Sequence, residues 1–440
     1  MKRREFLQAT VAAPLLANAS MAASARRSKG KGISSIPIAA DETIVYESPD
    51  PATVYAYSPG LACLPNGRLV ASMDQGGSGV NGLPGMRFTP NGHAYKCKVW
   101  TSDDHGKTWD HRADVPLEHA RPFAAGNAVY VLGQFDDLGV TRSDDGGTTW
   151  GPVIPLTSGQ RWHQAPCNVH YTRGCVYLVM ERKTDEQGEP AALAPVLMRA
   201  DVLADLTRRN AWTFSNELNF NQAMQQYGPS RLAGIPFFGD QKQGWLETNV
   251  VQFTDPDHVW YDPSGRTFHL WLRAYTGQTG YGAIAKAVED ESGAITVSLE
   301  RAPSGDPILF VPCPGGYMKF HILYDEQTQL FWLLANQSTD SMTRPERLTR
   351  DRDEEEHRKW PNNERHRLVL YFSKNCMDWV FAARIADSGA YRQGRHYASM
   401  AFDGDDLHVL SRSGDRRAKD AHDGNLITFH TVRGFRSLFY

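Results

Sequence analysis

The sequence predicts an all-β fold, a six-bladed β-propeller of four-stranded antiparallel blades. Three observations lead to this prediction: a repeated turn motif, six copies of a strand–turn–strand pattern, and a globular composition. The chain has 440 residues, of which 41% are hydrophobic and 22% are charged, with a formal net charge of -3. This composition is that of a folded domain. The near-neutral charge argues against nucleic acid as the main partner, because phosphate binding relies on a basic surface.

A turn motif occurs twice at the spacing of one blade. Ser102–Trp109 and Ser143–Trp150 both fit the pattern S-x-D-x-G-x-T-W, and their first residues lie 41 positions apart, the length of a four-stranded blade. In this motif the Ser and Asp side chains bind the backbone of a tight turn, the Gly adopts a positive φ, and the Trp packs under the turn. We therefore expect these Asp residues to be structural rather than catalytic.

Six segments share a second pattern, in which a strand, a turn and another strand are followed by a further strand pair. Their turns contain Asn-Gly, Asp-Gly or single Gly residues, as antiparallel hairpins do. The segments are Ser58–Ser72, Ala120–Gly133, His163–Met180, Thr248–Arg273, Met318–Ala335 and Tyr397–Ser411. Six repeats predict six blades, and we expect Glu42–Glu47 to supply the outer strand that closes the ring with the last blade.

Two segments interrupt these repeats. Residues 216–245, rich in Asn, Gln, Gly and Phe, are predicted to form a loop over one face. Residues 340–362 contain a run of charges and are predicted to be a solvated excursion. The six cysteines show no metal-binding spacing, so most are expected to be buried thiols. Cys167 and Cys175, which flank a predicted hairpin, are the pair best suited to a disulfide.

The N-terminus has the pattern of an export signal. Lys2–Leu7 contains a twin-arginine pair followed by Phe-Leu, an apolar stretch continues to Ala23, and Ala23–Ala25 fits an A-x-A cleavage site. Pro14 interrupts the stretch, which is too short to span a bilayer stably. We predict a signal at residues 1–25, a flexible lead-in at 26–41 and a propeller at 42–440, in the periplasm or outside the cell. An ordinary secretory signal or an uncleaved anchor is the alternative.

Short segments in three blades resemble the sialidase superfamily, and the turn motif resembles its Asp-box. Glu247–Gln252, followed by His269–Arg273, is similar to the segment in which a Glu precedes one strand and an Arg closes the paired strand. Asn363–Ser373 resembles the segment with another active-site Arg, eight residues before an Asp-box Ser, which is the position of Arg365. His396–Met400 resembles the strand that holds the sialidase nucleophile.

This resemblance, which spans residues 42–440, implies Tyr397 as nucleophile, Glu247 as its base, and Arg273 and Arg365 as clamps for a substrate carboxylate. The residue types suit an anionic sugar. A carboxylate nucleophile would repel the substrate carboxylate, whereas a neutral Tyr deprotonated by a neighbouring Glu would not. Two guanidinium groups can bind a carboxylate bidentately.

Two departures from the sialidase pattern indicate that the pocket has different residues at key positions. Sialidases place a further clamp Arg at the start of the first innermost strand, where Tyr57–Leu61 contains none. Their acid is an Asp on the next loop, but residues 75–99 contain no Asp, and Asp74 stands just before them.

Histidine could supply the missing acid, because it titrates near neutral pH. His119, His163, His321 and His396 each fall near the start of a predicted innermost strand. We expect His163, flanked by Arg161 and Trp162, to be catalytic. The other three histidines and Arg161 are expected to contact substrate.

Three functions are compatible with these residues. The first is a glycoside hydrolase acting on a terminal acidic sugar, sialic-acid-like or uronate-like. The second is a polysaccharide lyase that uses Tyr397 and His163 with Arg365, and the third is a non-catalytic carbohydrate-binding propeller. The sequence contains no metal or phosphate-binding motif, so no cofactor is expected, although a calcium ion in the central channel is left open.

Overall fold

The fold is described from a computed structural model for residues 37–39, 41–184, 192–228, 244–276, 279–339 and 364–439. The predicted signal, residues 26–36 of the lead-in, and the charged segment 340–362 lie outside the described residues. At the end of the predicted lead-in, Ile38 and Ala39 donate backbone hydrogen bonds to Arg384 and Ile385. No helix in the described ranges is long and apolar enough to cross a membrane.

The described residues form six antiparallel blades, which confirms the predicted fold class. The N-terminal strand is β1 (Thr43–Glu47). The first blade contains β2 (Tyr55–Cys63), β3 (Leu69–Gly76), β4 (Cys97–Ser102) and β5 (Asp110–Val115), and the second contains β6 (Glu118–Ala125), β7 (Ala128–Phe135), β8 (Asp137–Ser143) and β9 (Ile154–Pro155). The third blade contains β10 (Trp162–His163), β11 (His170–Thr172), β12 (Cys175–Lys183), β13 (Leu193–Asp201) and β14 (Trp212–Phe214).

The remaining three blades complete the ring. The fourth contains β15 (Trp245–Val251), β16 (Thr267–Ala274), β17 (Tyr281–Glu289) and β18 (Ile295–Ser298), followed by the short strands β19 (Glu300–Arg301), β20 (Pro307–Ile308) and β21 (Phe310–Pro312). The fifth contains β22 (His321–Asp325), β23 (Leu330–Asn336), β24 (Arg367–Ser373) and β25 (Val380–Asp387). The sixth contains β26 (Arg395–Asp403), β27 (Asp406–Ser413) and β28 (Leu426–Val432), and β1 pairs with β28 as its outer strand. The predicted ring closure is therefore confirmed.

The apolar core lies between the faces of neighbouring blades. One buried cluster joins Leu132 and Val140 of the second blade to Leu178 and Met198 of the third. The middle strands are covered on both faces and therefore consist of almost continuous apolar residues, as in β12. All six cysteines are free thiols, so Cys167 and Cys175 are not bonded to each other.

Side chains around the propeller axis tie each blade to the next. The donor and acceptor of each tie belong to neighbouring blades, and together the ties run once around the ring. They are Ser72 Oγ to Ala120 O (2.5 Å), Arg121 Nη1 to Asn168 O (3.3 Å), Asn168 Nδ2 to Val250 O (2.7 Å), Ile322 N to Asn249 Oδ1 (3.0 Å), Met400 N to His321 Nδ1 (3.2 Å) and Ser399 Oγ to Pro59 O (2.8 Å).

A short helix lies where the sequence predicted only a loop. Helix α1 (Phe220–Tyr227) begins at a capping box, in which Asn219 Oδ1 accepts from Gln222 N at 2.9 Å and Gln222 Oε1 accepts from Asn219 N at 3.1 Å. Phe220 is buried and its ring meets the edge of Trp245 at 5.6 Å between centroids. The loop prediction for 216–245 is therefore wrong for this part. The Asn-x-x-Gln spacing is the signal that could have identified it.

The two repeated turn motifs connect the third and fourth strands of their blades. In the first, Gly106 N donates to Ser102 Oγ (2.9 Å), Thr108 N donates to Asp104 (2.9 Å), and Trp109 Nε1 donates to Gly106 O (3.0 Å). The second motif makes the equivalent bonds. Because successive strands are antiparallel, these turns lie at the opposite end of the blade from the start of the innermost strand.

We expect Trp109→Ala to lower the free energy of unfolding by about 3 kcal/mol, because a packed aromatic side chain is lost. The Trp109 ring meets the edge of Phe429 in the sixth blade at 5.3 Å. Urea unfolding measures the effect, and Val259→Ala, at a site that is 88% exposed, is the control. Lost turnover at unchanged stability would contradict the structural role.

Candidate active site

Four innermost strands carry the same backbone distortion near their start. The strand register shifts in β2, β6, β15 and β26, and at each shift one non-glycine residue has a left-handed backbone. These residues are Ser58 (φ 47°), His119 (φ 49°), Glu247 (φ 60°) and Tyr397 (φ 50°). Such conformations cost free energy and cluster at functional sites. The repeated bulge therefore indicates a candidate functional site at one end of the propeller axis.

A cavity of about 330 Å³ lies at this end of the propeller, and all four bulge residues line it. Its other polar lining residues are Tyr57, His163, Tyr275, Arg412 and His422. Five of the six blades thus contribute a side chain to one cavity, and four of the residues predicted from sequence, Tyr397, Glu247, His163 and His119, are among them.

Tyr397 and Glu247 are joined by a shared arginine. Arg273 Nη1 donates to the phenol oxygen of Tyr397 at 2.8 Å and to Glu247 Oε2 at 3.0 Å. Arg273 Nε donates to Tyr317 O at 2.9 Å, which fixes the plane of the guanidinium group. Since both oxygens bond one nitrogen atom, the phenol and the carboxylate are neighbours. The structure therefore brings together three of the residues that the resemblance implied.

Burial raises the pKa of Tyr397 to about 12, although the charge of Arg273 acts in the opposite direction. The phenol is therefore protonated at neutral pH. It can become a nucleophile only if a base removes its proton during the reaction, and Glu247 is the carboxylate beside it.

Three arginines surround the Tyr397 ring. The Cζ atoms of Arg412, Arg365 and Arg273 lie 5.0, 5.9 and 6.0 Å from its centroid. All three arginines are buried; Arg412 lines the cavity, and the two predicted clamps, Arg273 and Arg365, lie beside Tyr397. Within the described residues, the buried Nε atoms of Arg365 and Arg412 have no hydrogen-bond partner. Such a cluster of buried cations favours an anionic ligand.

Arg412 was not predicted from the sequence. It lies on β27, opposite His396 in the strand register, and its guanidinium stacks on Tyr57 with Cζ 3.9 Å from the ring centroid. Tyr57 occupies the stretch in which the resemblance expected an arginine. The cation at this position thus comes from the last blade instead of the first. Burial lowers the pKa of Arg412 to about 10, so it remains charged at neutral pH.

A carboxylate holds the Tyr57–Arg412 stack in place. Asp423 Oδ1 accepts from the Tyr57 hydroxyl at 2.6 Å and lies 2.7 Å from His422 Nδ1. Lys419 Nζ donates to the other oxygen at 2.8 Å. Burial opposes ionisation of Asp423, but the hydrogen bonds from these three side chains outweigh it and hold its pKa below the usual value. The loop between β27 and β28 therefore positions Arg412.

Two histidines form another part of the cavity wall. The rings of His119 and His163 meet edge to face at 5.1 Å. Gln134 Oε1 accepts a hydrogen bond from Gln164 N. The side-chain nitrogen of Gln134 therefore donates to His119 Nδ1, at 2.8 Å. His119 Nδ1 is then an acceptor, and the neutral ring carries its proton on Nε2. Burial holds the pKa of His119 well below its usual value, so the ring is neutral.

Each wall histidine is backed by a buried carboxyl group. His163 Nδ1 lies 3.7 Å from Glu181 Oε2, and Glu181 Oε1 accepts from Thr248 Oγ1 at 2.9 Å. Behind His119, Asp74 Oδ1 accepts from the His119 backbone N–H at 2.9 Å. Asp74 is buried, and burial raises its pKa to about 8. Asp74 is the acidic residue that the sequence placed just outside the expected acid loop.

The other predicted contact residues do not line the cavity. His396 Nδ1 lies 3.1 Å from Arg365 Nη1 and pairs with that arginine. His321 is buried at the axis, where its Nδ1 accepts from Met400 N. The Arg161 carbonyl accepts from Lys183 N at 2.9 Å, beside β10. The contacts of His321 and His396 are those of packing and positioning within the propeller.

No protein-family model matches this sequence, and no curated protein matches it. Solved structures do match. A Hadza microbial sialidase is 13% identical, with 89% of this chain and 68% of that chain covered and a TM-score of 0.53. A Trypanosoma rangeli sialidase mutant with trans-sialidase activity is 12% identical, with 92% and 60% covered and a TM-score of 0.51. A Dyadobacter fermentans protein of unknown function is 14% identical, with 90% and 98% covered and a TM-score of 0.50.

The chain has the six-bladed propeller fold of the sialidases. At these identities the likeness concerns the fold, and the chemistry has to be argued from the residues of the cavity.

We expect Asp74→Asn to become more stable relative to the parent protein as the pH rises from about 4 to about 8. The pKa of Asp74 is raised from 3.8 to about 8 in the folded protein. Its contribution to stability is therefore fully present below pH 3.8 and is lost as the pH rises towards 8. Urea unfolding at several pH values measures this. Asp257→Asn, at an exposed carboxylate, is the control, and parallel pH profiles for Asp74→Asn and the parent would contradict the buried, protonated state.

Proposed function

We propose that this protein is an exported glycoside hydrolase that acts on a terminal acidic sugar, sialic-acid-like or uronate-like. The observation that supports this most directly is the phenol of Tyr397, which shares Arg273 with Glu247 and lies among three guanidinium groups. The sialidase fold is compatible with this chemistry, and the twin-arginine pattern of the N-terminus supports a site of action outside the cytoplasm.

The arginine cluster binds the sugar carboxylate. Arg412 lines the cavity, and Arg365 and Arg273 add positive charge around Tyr397. The unpartnered Nε atoms of Arg365 and Arg412 suit a ligand with several acceptor oxygens. Lysine at either position would keep the charge but lose the planar fork.

Tyr397 attacks the anomeric carbon. As its Oη–C bond forms, the phenol proton passes to Glu247 and the bond from the anomeric carbon to the leaving oxygen breaks. A neutral nucleophile avoids repulsion by the substrate carboxylate. Water then attacks the anomeric carbon of the glycosyl-tyrosine intermediate and gives one proton to His163, while the bond from that carbon to the Tyr397 oxygen breaks and Glu247 returns its proton to the phenol oxygen.

His163 protonates the leaving oxygen. Its side chain is 24% exposed at the cavity, and the buried Glu181 carboxyl lies 3.7 Å behind its Nδ1. At this distance Glu181 contacts the ring without a hydrogen bond to it. His119 beside it, with its proton on Nε2, is suited to donate a hydrogen bond to the substrate.

The adjacent histidines also favour a second candidate function. In a polysaccharide lyase, arginines neutralise a uronate carboxylate while a histidine or tyrosine removes the neighbouring C5 proton. His163 and Tyr397, on one cavity with Arg412, offer these groups. The product distinguishes the two reactions, because a lyase creates a carbon–carbon double bond that absorbs ultraviolet light and a hydrolase does not.

We expect Tyr397→Phe to lower turnover of an acidic glycoside by about 10²–10⁴-fold, because nucleophile and transferable proton are both removed. Binding and melting temperature should change little, since the ring remains. Reducing-sugar release and ultraviolet absorbance, measured on a panel of sialosides and uronides, report hydrolysis and elimination separately.

Tyr275→Phe is the matched control, because it removes another phenol from the same cavity wall. Full activity of Tyr397→Phe would rule out both Tyr-based reactions. If the parent protein forms no product with any member of the panel but binds acidic sugars, the protein is a carbohydrate-binding propeller.

We expect Arg365→Lys and Arg412→Lys each to weaken binding of an acidic sugar by about tenfold or more, the value of a lost charge-assisted hydrogen bond. Calorimetric titration with the free acid and with its methyl ester measures this effect. The ester should bind weakly to all forms. Arg208→Lys, at a side chain that is 74% exposed, is the control. Unchanged affinity for the acid in both cavity variants would show that the arginines do not bind a carboxylate.

A further inference from the structure

Two histidines and an aspartate converge where the first blade meets the last. His105 belongs to the first turn motif, between β4 and β5, whereas Asp403 ends β26 and His408 lies on β27. His105 Nδ1 lies 2.7 Å from Asp403 Oδ2, and His408 Nε2 lies 3.0 Å from the same oxygen. The strand directions place this cluster at the end of the propeller opposite to the cavity.

The ligand atoms of these three side chains all lie within 4.8 Å of one another. Two imidazole nitrogens and one carboxylate oxygen are a donor set that Zn²⁺ accepts in tetrahedral sites, with water in the fourth position. Neighbouring ligand atoms around zinc are about 3.3 Å apart, given its bond lengths of about 2.0 Å. Small rotations of His105 and His408 would open the cluster to that spacing.

The surroundings of the cluster fit a metal site. His408 is buried, and its Nδ1 lies 3.1 Å from Thr431 Oγ1, which orients the ring and can hold the proton away from Nε2. The His105 side chain is 65% exposed, so an ion can reach the cluster from solvent. Four aspartates, of which Asp405 is paired with Arg436, and two basic residues line the same open cavity, so acidic groups outnumber basic ones where a cation would approach.

We propose that His105, Asp403 and His408 bind one divalent transition-metal ion, with Zn²⁺ as the best match, which links the first blade to the sixth. The site is independent of the proposed sugar chemistry. The ion adds a crosslink at the seam where the two ends of the propeller ring meet. Because His105 is 298 positions from Asp403 in the sequence, no local spacing pattern marks the set.

The test uses the full chain after treatment with EDTA. Titration with Zn²⁺ against a chromophoric chelator should show one high-affinity site, and saturating Zn²⁺ should raise the melting temperature by about 3 °C. His105→Asn and Asp403→Asn should each weaken Zn²⁺ binding by at least tenfold and abolish the shift. Asparagine is chosen for position 105 because it tolerates the left-handed backbone there (φ 58°).

His111→Asn is the matched control. His111 also pairs with a carboxylate, Asp114, at 2.9 Å, but no second histidine of the described part of the chain pairs with that carboxylate. It should bind Zn²⁺ like the parent protein. The proposal would be overturned if the parent protein did not bind Zn²⁺. It would also be overturned if both His105→Asn and Asp403→Asn still bound Zn²⁺ like the parent. Equally tight binding of Mg²⁺ or Ca²⁺ would overturn the assignment to a transition metal. Basal activity should be unchanged in His105→Asn, so failure of the sugar hypothesis would not affect this result.

Discussion

The ring of side-chain ties around the axis is the constraint on which the fold and the cavity depend. Bulged strands leave backbone groups unpaired, and buried backbone groups need partners. Asn249 accepts from the backbone of the next blade, and Ser399 donates to the backbone of the blade after its own. These residues directly follow the bulges at Glu247 and Tyr397. The same local distortion thus turns one side chain towards the cavity and the next ones towards the neighbouring blade, so that the geometry of the cavity and the closure of the ring are set together.

This arrangement explains what the sequence could and could not predict. The blades were predictable because the turn motif and hairpin signals are local and repeat at a fixed period. Tyr397, Glu247, Arg273 and Arg365 were identified from short segments that resemble sialidases. Arg412 had no such signal. Its place beside Tyr397 follows from the register of β26 and β27 and from the stack on Tyr57, neither of which a single segment shows.

Arg412 lacked a sequence signal, whereas the four histidines shared one. That shared signal nevertheless led to different positions in the structure. All four predicted histidines lie near the start of innermost strands. A shift of one residue relative to the bulge decides their environment. His119 is at the bulge and lines the cavity, whereas His396 immediately precedes the bulge residue Tyr397 and pairs with Arg365. His321, in a strand without a left-handed residue, is one of the axial ties. Asp74 was noted in the sequence only as lying just before the expected acid loop, because its burial, not its type or spacing, raises its pKa.

The charges around Tyr397 determine how the proposed reaction would have to proceed. Three guanidinium groups would normally favour the phenolate, yet burial dominates and the pKa of Tyr397 is about 12. A substrate carboxylate bound by Arg412 and Arg365 would neutralise part of that positive field and raise the phenol pKa further. Binding of an anionic substrate would therefore make the Tyr397 phenol harder to ionise. A phenolate formed before binding would not survive, and the proton has to leave during attack. The proposed reaction would therefore require a base that is already in place. Arg273 donates to both the Glu247 carboxylate and the Tyr397 phenol, which keeps these two groups close to each other.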